Sequence, residues 1–242
     1  MTSDQLQQAR AERWAELRPA ARTASGLRDW VQAVGFPSAG ELAEAFGDAT
    51  PELLEPELEA ASVLELWIWP DELRYASADL VTYLWVSLRP DLARQRSLTP
   101  LAEQVFEATW SSAFPPTASE LRDRLGAGRT SNLGIERACQ ELARRFVLLR
   151  CGRRQGEPTW QPVLQRFKTL REAQLHIQKE EATTAFVSHY LDVRVCDSEE
   201  GCAAFLSPLA PRSRVRQALT GLEADRRLLP DSLDGRPAFR LR

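Results

Sequence analysis

The hydrophobic positions between residues 100 and 163 repeat first with helical spacing and then with strand spacing. Residues 101–111 carry their apolar side chains on one face, which predicts an amphipathic helix. A second helix is predicted over residues 117–125, where Thr117 is the N-cap and Glu120 follows at the spacing of a capping box. The Pro115-Pro116 pair separates the two helices.

A third helix is predicted over residues 132–145 by four apolar positions at i, i+3, i+4 and i+7, namely Ile135, Ala138, Cys139 and Leu142. Residues 146–150 and 159–163 then form two short strands joined by a turn over residues 152–156. Three helices followed by a hairpin is the order of a winged helix, a variant of the helix-turn-helix.

The same order of elements returns nearer the end of the chain. Helices are predicted over residues 171–190, 198–205 and 212–224, and a hairpin follows with its turn at Asp234-Gly235. Adding 80 to the apolar positions of residues 132–145 gives Val215, Ala218, Leu219 and Leu222 without a gap. The chain therefore contains an internal repeat of one module.

The first hundred residues predict short helices over residues 4–19, 27–34, 39–46 and 57–61, and a further helix that stops at Pro90. Between them lies a strand over residues 63–69, in which Trp67 and Trp69 share one face and are expected in the core. Residues 91–99 are expected to be a linker.

These patterns predict a mainly α protein with small β-hairpins (α+β) that is built of tandem winged-helix (helix-turn-helix) domains. The predicted domains are an N-terminal helical region with a tryptophan-rich strand over residues 1–98, a winged helix over 99–166 and a second winged helix over 167–242. A degenerate winged helix is the alternative interpretation of the first region.

Charge is distributed unevenly along the chain. The net charge is −3, but residues 1–100 carry −7, whereas residues 101–165 and 166–242 carry +2 each. This gradient fits an anionic partner for the later modules. The sequence pI of about 5.6 is nevertheless below the range of dedicated DNA-binding domains.

In a helix-turn-helix module the third helix enters the major groove of duplex DNA and the wing contacts the backbone. The predicted DNA contacts are therefore polar residues on the two third helices, at their entrances and in the first wing. They are Arg129, Thr130, Ser131, Asn132, Arg137, Gln140, Arg144, Arg153 and Arg154 in one module, and Arg212, Ser213, Arg214, Arg216 and Gln217 in the other. Acidic residues on the same helices, Glu136 and Glu141 among them, would oppose phosphate, so a role in binding a protein partner stays open.

The sequence offers little for catalysis, metal binding or membrane insertion. The four cysteines form no C-x-x-C pair, so no metal site is expected and buried, reduced thiols are predicted. No nucleophile, phosphate-binding or metalloprotease motif occurs, and we predict no catalytic residue and no cofactor. No apolar run is long enough to span a bilayer, and no secretory signal is visible, so a cytoplasmic location is expected.

Several segments resemble relatives of the bacterial winged-helix DNA glycosylases that unhook interstrand crosslinks. They are Trp67-x-Trp69-x-Asp71-Glu72-Leu73, the stretch RACQELARRFVLLRCG over residues 137–152, and LRDWVQAVGF over residues 27–36. The resemblance covers residues 25–242 and implies tandem winged helices around a DNA-facing channel. Glycosylases of this group carry Gln-x-Gln or Gln-x-Asp just after the helix that corresponds to residues 27–34, whereas this chain has Gly35-Phe36-Pro37-Ser38-Ala39 there.

Three hypotheses follow. The first is a non-catalytic protein of tandem winged helices that binds duplex DNA in repair or regulation. The second is a divergent DNA glycosylase that lacks the usual motif, and the third is a winged-helix scaffold for protein partners.

Overall fold

The computed structural model describes residues 2–19, 21–88, 98–126 and 130–242. Three units follow one another, each made of three helices and a two-stranded antiparallel hairpin. We call them the first module (residues 24–77), the central module (100–162) and the third module (179–241). The predicted fold class, a mainly α chain with small hairpins and tandem winged helices, is confirmed.

The helices and strands of the modules have the following bounds. The first module contains α2 (Ala24–Val34), α3 (Ala39–Phe46), α4 (Thr50–Glu59), β1 (Val63–Leu66) and β2 (Arg74–Ser77). The central module contains α6 (Pro100–Trp110), α7 (Ala118–Leu125), α8 (Asn132–Arg144), β3 (Leu148–Arg154) and β4 (Glu157–Pro162). The third module contains α11 (Lys179–Arg194), α12 (Glu199–Phe205), α13 (Arg212–Ala224), β5 (Leu228–Leu233) and β6 (Arg236–Leu241).

Within the described ranges, four further α-helices lie outside the modules. They are α1 (Ser3–Glu16), α5 (Val81–Leu88), α9 (Val163–Arg166) and α10 (Leu170–Ala173). The helix expected over residues 171–190 is divided between α10 and α11, because the chain leaves the helical path over residues 174–178. Most of the predicted linker, residues 91–97, lies outside the described residues.

One backbone bridge recurs in all three modules. The segment before the second helix pairs with the returning strand of the hairpin at Ser38–Arg74, Thr117–Thr159 and Asp197–Phe239. The residue that caps the second helix is a hydroxyl residue each time, namely Ser38, Thr117 and Ser198. Its side-chain oxygen accepts an otherwise unpaired N–H of the first turn. This bridge ties each second helix to its wing.

The repeat is also visible in the cores. The apolar stripes of α8 and α13, which are 80 residues apart, are at most 6% exposed at every position. The third helix of the first module also buries an apolar face, since Leu54 and Leu58 of α4 are 5% and 1% exposed. Because one face of each third helix is buried, the opposite face is exposed to solvent. The charges on that exposed face determine what it can bind.

Two expectations for the first module were wrong. The helix expected over residues 57–61 is α4, which begins at Thr50, places Pro51 in its first turn and contains Pro56 in its interior. The strand expected over residues 63–69 ends at Leu66, so Trp67 and Trp69 do not share a face. Trp67 packs on the core of the central module, whereas Trp69 packs on the larger core to which all three modules contribute.

The modules dock on each other through charged and polar contacts as well as apolar ones. The third helix of the first module, α4, packs on β3 of the central module, where Glu55 pairs with Arg150 and Arg153. Helix α1 packs on the third module, where Arg10 donates to the carbonyls of Arg194 and Cys196 at 2.9 Å each. Docking therefore uses elements that a free winged helix would leave exposed.

The four cysteines, all of them described, are buried free thiols. Burial raises the pKa of Cys151 to about 11 and that of Cys202 to about 12. Thiolate chemistry is disfavoured at neutral pH by these pKa values. Within the described ranges, no helix is long and apolar enough to cross a membrane.

Candidate nucleic-acid interface

The outward face of α8 is the strongest candidate for contact with DNA. The residues at 133, 137, 140 and 144 follow i, i+4, i+7 and i+11 spacing, so they lie on one stripe opposite the buried one. Leu133, Arg137 and Arg144 are exposed and Gln140 is half-buried. The helix begins at the N-cap Ser131, whose hydroxyl oxygen accepts from the backbone N–H of Gly134 at 3.1 Å.

The acidic residues of α8 do not neutralise this stripe. Glu141 accepts from the backbone N–H of Thr99 at 3.1 Å and from its hydroxyl at 2.8 Å, and lies 3.6 Å from Arg145. Glu141 therefore anchors the start of α6 instead of opposing a phosphate. Among the described residues, no carboxylate lies within salt-bridge distance of Arg137 or Arg144.

The entrance of α8 is less available than its outward face. Asn132 is half-buried and its amide donates to the hydroxyl of Ser119 at 3.0 Å. Thr130 is half-buried, while Ser131 is exposed but occupied as the N-cap. Arg129 lies outside the described residues.

The two arginines expected in the first wing lie on β3 and make contacts within the protein. The turn occupies only Gln155-Gly156, so β3 continues through Arg154. Arg153 lies 3.2 Å from Glu55 of the first module, and Arg154 pairs with Glu120 and donates to the carbonyl of Pro115 at 3.0 Å. Both positive charges are at least partly compensated.

The arginines of the third module are compensated by the preceding helix. Arg212 lies 3.1 Å and Arg216 2.8 Å from the same oxygen of Glu199, and Arg212 also pairs with Glu200. The hydrogen bond from Arg216, together with that from Arg212, lowers the pKa of Glu199 below its usual value. The half-buried Arg214 places its Nη1 in the interior, whereas Ser213 and Gln217 are exposed.

The three third helices differ in what they present to solvent. At the positions equivalent to the α8 stripe, α13 has the neutral residues Ser213, Gln217, Thr220 and Ala224. The exposed positions of α4 include Glu52, Pro56 and Glu59. Only the central module, among the described residues, combines arginine and glutamine on this face.

A small pocket between the first and third modules was not anticipated from the sequence. Its polar lining includes Glu41, Arg74, His189 and Arg194. One oxygen of Glu41 accepts from the backbone N–H of Ser38 at 2.7 Å, and the carboxylate lies 3.8 Å from Arg74 and 3.9 Å from Arg194. No local signal could have found this pocket, because its lining joins residues 34–74 to residues 189–205, which are far apart in the sequence.

His189 packs directly on the backbone of Gly35. Gly35 has φ +87°, and a Cβ there would lie 1.9 Å from the imidazole ring, so glycine is required both by conformation and by space. Burial lowers the pKa of His189, although the ring also hydrogen-bonds to the backbone of Gln32. The imidazole is therefore held neutral near pH 7.

The segment that corresponds to the glycosylase motif lies beside this pocket. Phe36 is 4% exposed and packs on Trp69 and Phe186, with ring centroids 5.4 and 5.6 Å away. Ser38 is 4% exposed and serves as a helix cap. Neither position carries an amide or a carboxylate side chain. The carboxylate in the lining of the adjacent pocket is that of Glu41.

Comparison with known proteins extends these observations. No protein-family model matches the chain, and no curated protein matches it. A solved structure, the Streptomyces sahachiroi DNA glycosylase AlkZ, matches with a TM-score of 0.65 and 21% sequence identity over 97% of this chain and 69% of that chain. The similarity predicted from the sequence is thus confirmed in three dimensions: the chain has the fold of a DNA glycosylase.

Proposed function

We propose that this protein binds duplex DNA through the third helix of its central module and acts in DNA repair without excising a base. The observation that carries the proposal is the pair Arg137 and Arg144 on the outward face of α8, neither of which has a carboxylate of the described residues within salt-bridge distance. Guanidinium groups bind phosphate oxygens and guanine edges, and a glutamine between them suits adenine. The fold shared with a DNA glycosylase supports a DNA partner.

The proposal assigns different roles to the other two modules. Helix α4 is acidic and packs on the central module, so it positions that module and does not meet phosphate. Helix α13 has a neutral outward face, and its flanking arginines are paired with Glu199. We expect it to add weak backbone contacts at most.

Base excision is left out of the proposal because the side chains at the motif positions are an aromatic ring and a helix cap. The carboxylate of Glu41 is already engaged by Ser38, Arg74 and Arg194. Release of a free base from alkylated or crosslinked duplexes by the purified protein, abolished in Glu41→Gln, would contradict this part of the proposal.

Fluorescence anisotropy with a labelled duplex over a series of salt concentrations tests the binding itself. We expect the affinity to fall linearly with salt on logarithmic axes, because phosphate contacts release counterions. Arg137→Ala and Arg144→Ala should each weaken binding and lower the salt slope by about 1 for each phosphate that the variant no longer neutralises. Arg28→Ala is the control, since it removes from the first module an arginine whose side chain is 44% exposed.

Two results would overturn the proposal. One is the absence of binding at low salt, which would favour a scaffold for protein partners. The other is equal affinity of Arg137→Ala, Arg144→Ala and Arg28→Ala for the duplex, which would place the DNA surface elsewhere.

A further inference from the structure

The outward stripe of α8 contains an apolar side chain that the protein core does not use. Leu133 is 55% exposed, one helical turn before Arg137 on the same stripe. The buried face of α8 is complete without it, since Ile135, Ala138 and Leu142 are at most 3% exposed. Leucine therefore lies at the entrance of this helix without a packing role.

The charge of Arg137 beside Leu133 limits the kind of partner that can cover the leucine. An apolar protein surface would have to bury Arg137 together with the leucine, at the cost of removing an unpaired guanidinium from water. The DNA major groove presents acceptors for arginine and, on thymine, a methyl group in the same groove. It therefore matches both side chains at once.

We propose that Leu133 contacts the C5 methyl group of thymine and so gives the protein a preference for a thymine near the base pair that Arg137 contacts. This inference rests on the proposed function, since it requires α8 to enter the major groove. The first turn of a recognition helix is the part that reaches the base edges. Leu133 is the second residue of α8, which places it there.

The spacing along the helix limits where the thymine lies. Leu133 and Arg137 are separated by about 6 Å along the helix axis, at 1.5 Å per residue. Base pairs are stacked about 3.4 Å apart. The thymine is therefore within about two base pairs of the Arg137 contact.

The third module provides an internal contrast. The equivalent of Leu133, 80 residues later, is Ser213, and the equivalent of Arg137 is the neutral Gln217. The apolar and cationic combination is thus specific to the central module among the described third helices. A preference for thymine is expected from this module alone.

The experiment compares thymine with deoxyuridine, which lacks only the methyl group. Duplexes are selected from a random pool by the wild-type protein, and the recovered site is resynthesised with deoxyuridine at each thymine in turn. We expect one substitution to weaken binding about fourfold, the effect of removing one buried methyl-sized group. Leu133→Ala should bind the two duplexes equally, and Leu133→Met should retain the preference.

The outcomes separate this inference from the proposed function. Salt-dependent binding with no enriched site, or with no deoxyuridine effect, overturns the thymine contact and leaves DNA binding intact. The same conclusion follows if Leu133→Ala keeps the wild-type preference. Absence of binding to any duplex overturns both, and unchanged unfolding of Leu133→Ala excludes misfolding as the cause.

Discussion

Arg150 of the central module and Glu65 of the first module form a buried ion pair, with 2.6 Å between the guanidinium and the carboxylate. Their side chains are 9% and 3% exposed. Burial by itself lowers the pKa of Arg150, but the charges of Glu65 and Glu55 outweigh it and the pKa is raised. The pair joins the two modules, and so fixes the position of the outward face of α8 relative to the rest of the chain.

Removal of one partner of this pair should be costly. Arg150→Met leaves the carboxylate of Glu65 buried without its counter-charge, and we expect the free energy of unfolding to fall by about 3–5 kcal/mol. The double variant Arg150→Met, Glu65→Gln should recover part of that loss, because the orphaned charge is gone. Urea unfolding measures each value.

The control for the buried pair is Arg28→Met. It breaks the solvent-accessible pair between Arg28 and Asp29, whose side chains are 44% and 67% exposed respectively. Solvent screens such pairs, so this change should cost less than about 1 kcal/mol. Equal losses for Arg28→Met and Arg150→Met would contradict a stabilising role of the buried pair.

Glu199 should restrain DNA binding by the third module. Its carboxylate pairs with Arg212 and Arg216, and Arg212 also pairs with Glu200, so Glu199→Gln should free the guanidinium group of Arg216 and raise the affinity for duplex DNA. The salt slope should become steeper by about 1 for the new phosphate contact. Anisotropy titrations over a salt series provide the measurement.

Glu223→Gln removes a carboxylate from the same module as a control. Glu223 lies on α13 and forms no ion pair with any described residue. Its effect on affinity should be smaller than that of Glu199→Gln. If the two variants bind DNA equally well, the gain reflects net charge alone and not the release of Arg216.

The half-buried His189 should make the protein less stable in mild acid. Its pKa is lowered in the folded state, so between that value and the unfolded pKa of 6.5 the unfolded chain binds more protons. The free energy of unfolding should therefore fall as the pH decreases below about 6.5. His189→Gln should reduce this dependence in urea unfolding between pH 7 and pH 5, a window chosen as roughly the range of histidine titration.

The other histidine supplies the comparison. His176 is exposed, and His176→Gln should leave the pH dependence of unfolding close to that of the wild type. A wild-type slope in His189→Gln, or a reduced slope in His176→Gln, would show that other groups carry the effect.

Pro56 should be replaceable with a gain in stability. It lies in the interior of α4, is exposed, and cannot donate the backbone hydrogen bond of a helical residue. We expect Pro56→Ala to raise the free energy of unfolding by about 2 kcal/mol, the helix penalty less the entropy that proline removes from the unfolded chain.

Substitution of Pro51 tests whether the gain depends on the position of the proline in α4. It lies in the first turn of α4, where a backbone N–H would have no helical partner, so Pro51→Ala should bring no gain. Equal stabilisation by the two substitutions would show that the gain does not depend on the backbone hydrogen bond that proline lacks in the helix interior.

The elements of the central and third modules could be predicted because they depend on local periodicity. The capping box of Thr117 and Glu120 is present, with Glu120 accepting from the backbone N–H of Thr117 at 2.9 Å. The apolar stripe of α8 and its repeat 80 residues later are buried as predicted. A side chain at helical spacing faces the core regardless of what lies beyond the module.

The first module was harder to predict from its sequence. Pro51 and Pro56 resemble loop residues, yet tertiary packing of Leu54 and Leu58 keeps α4 helical around them. Apolar burial outweighed the local preference for a break.

The charges show most clearly what the tertiary structure alone decides. Sequence pattern placed Arg137, Arg153 and Arg216 in one class of candidate DNA contacts. The fold divides them, because Arg153 meets Glu55 from 98 residues away and Arg216 meets Glu199 from the preceding helix, whereas Arg137 meets no described carboxylate. Periodicity along the chain determines which side chains point outward, but the docking of separate elements determines which outward charges are already neutralised.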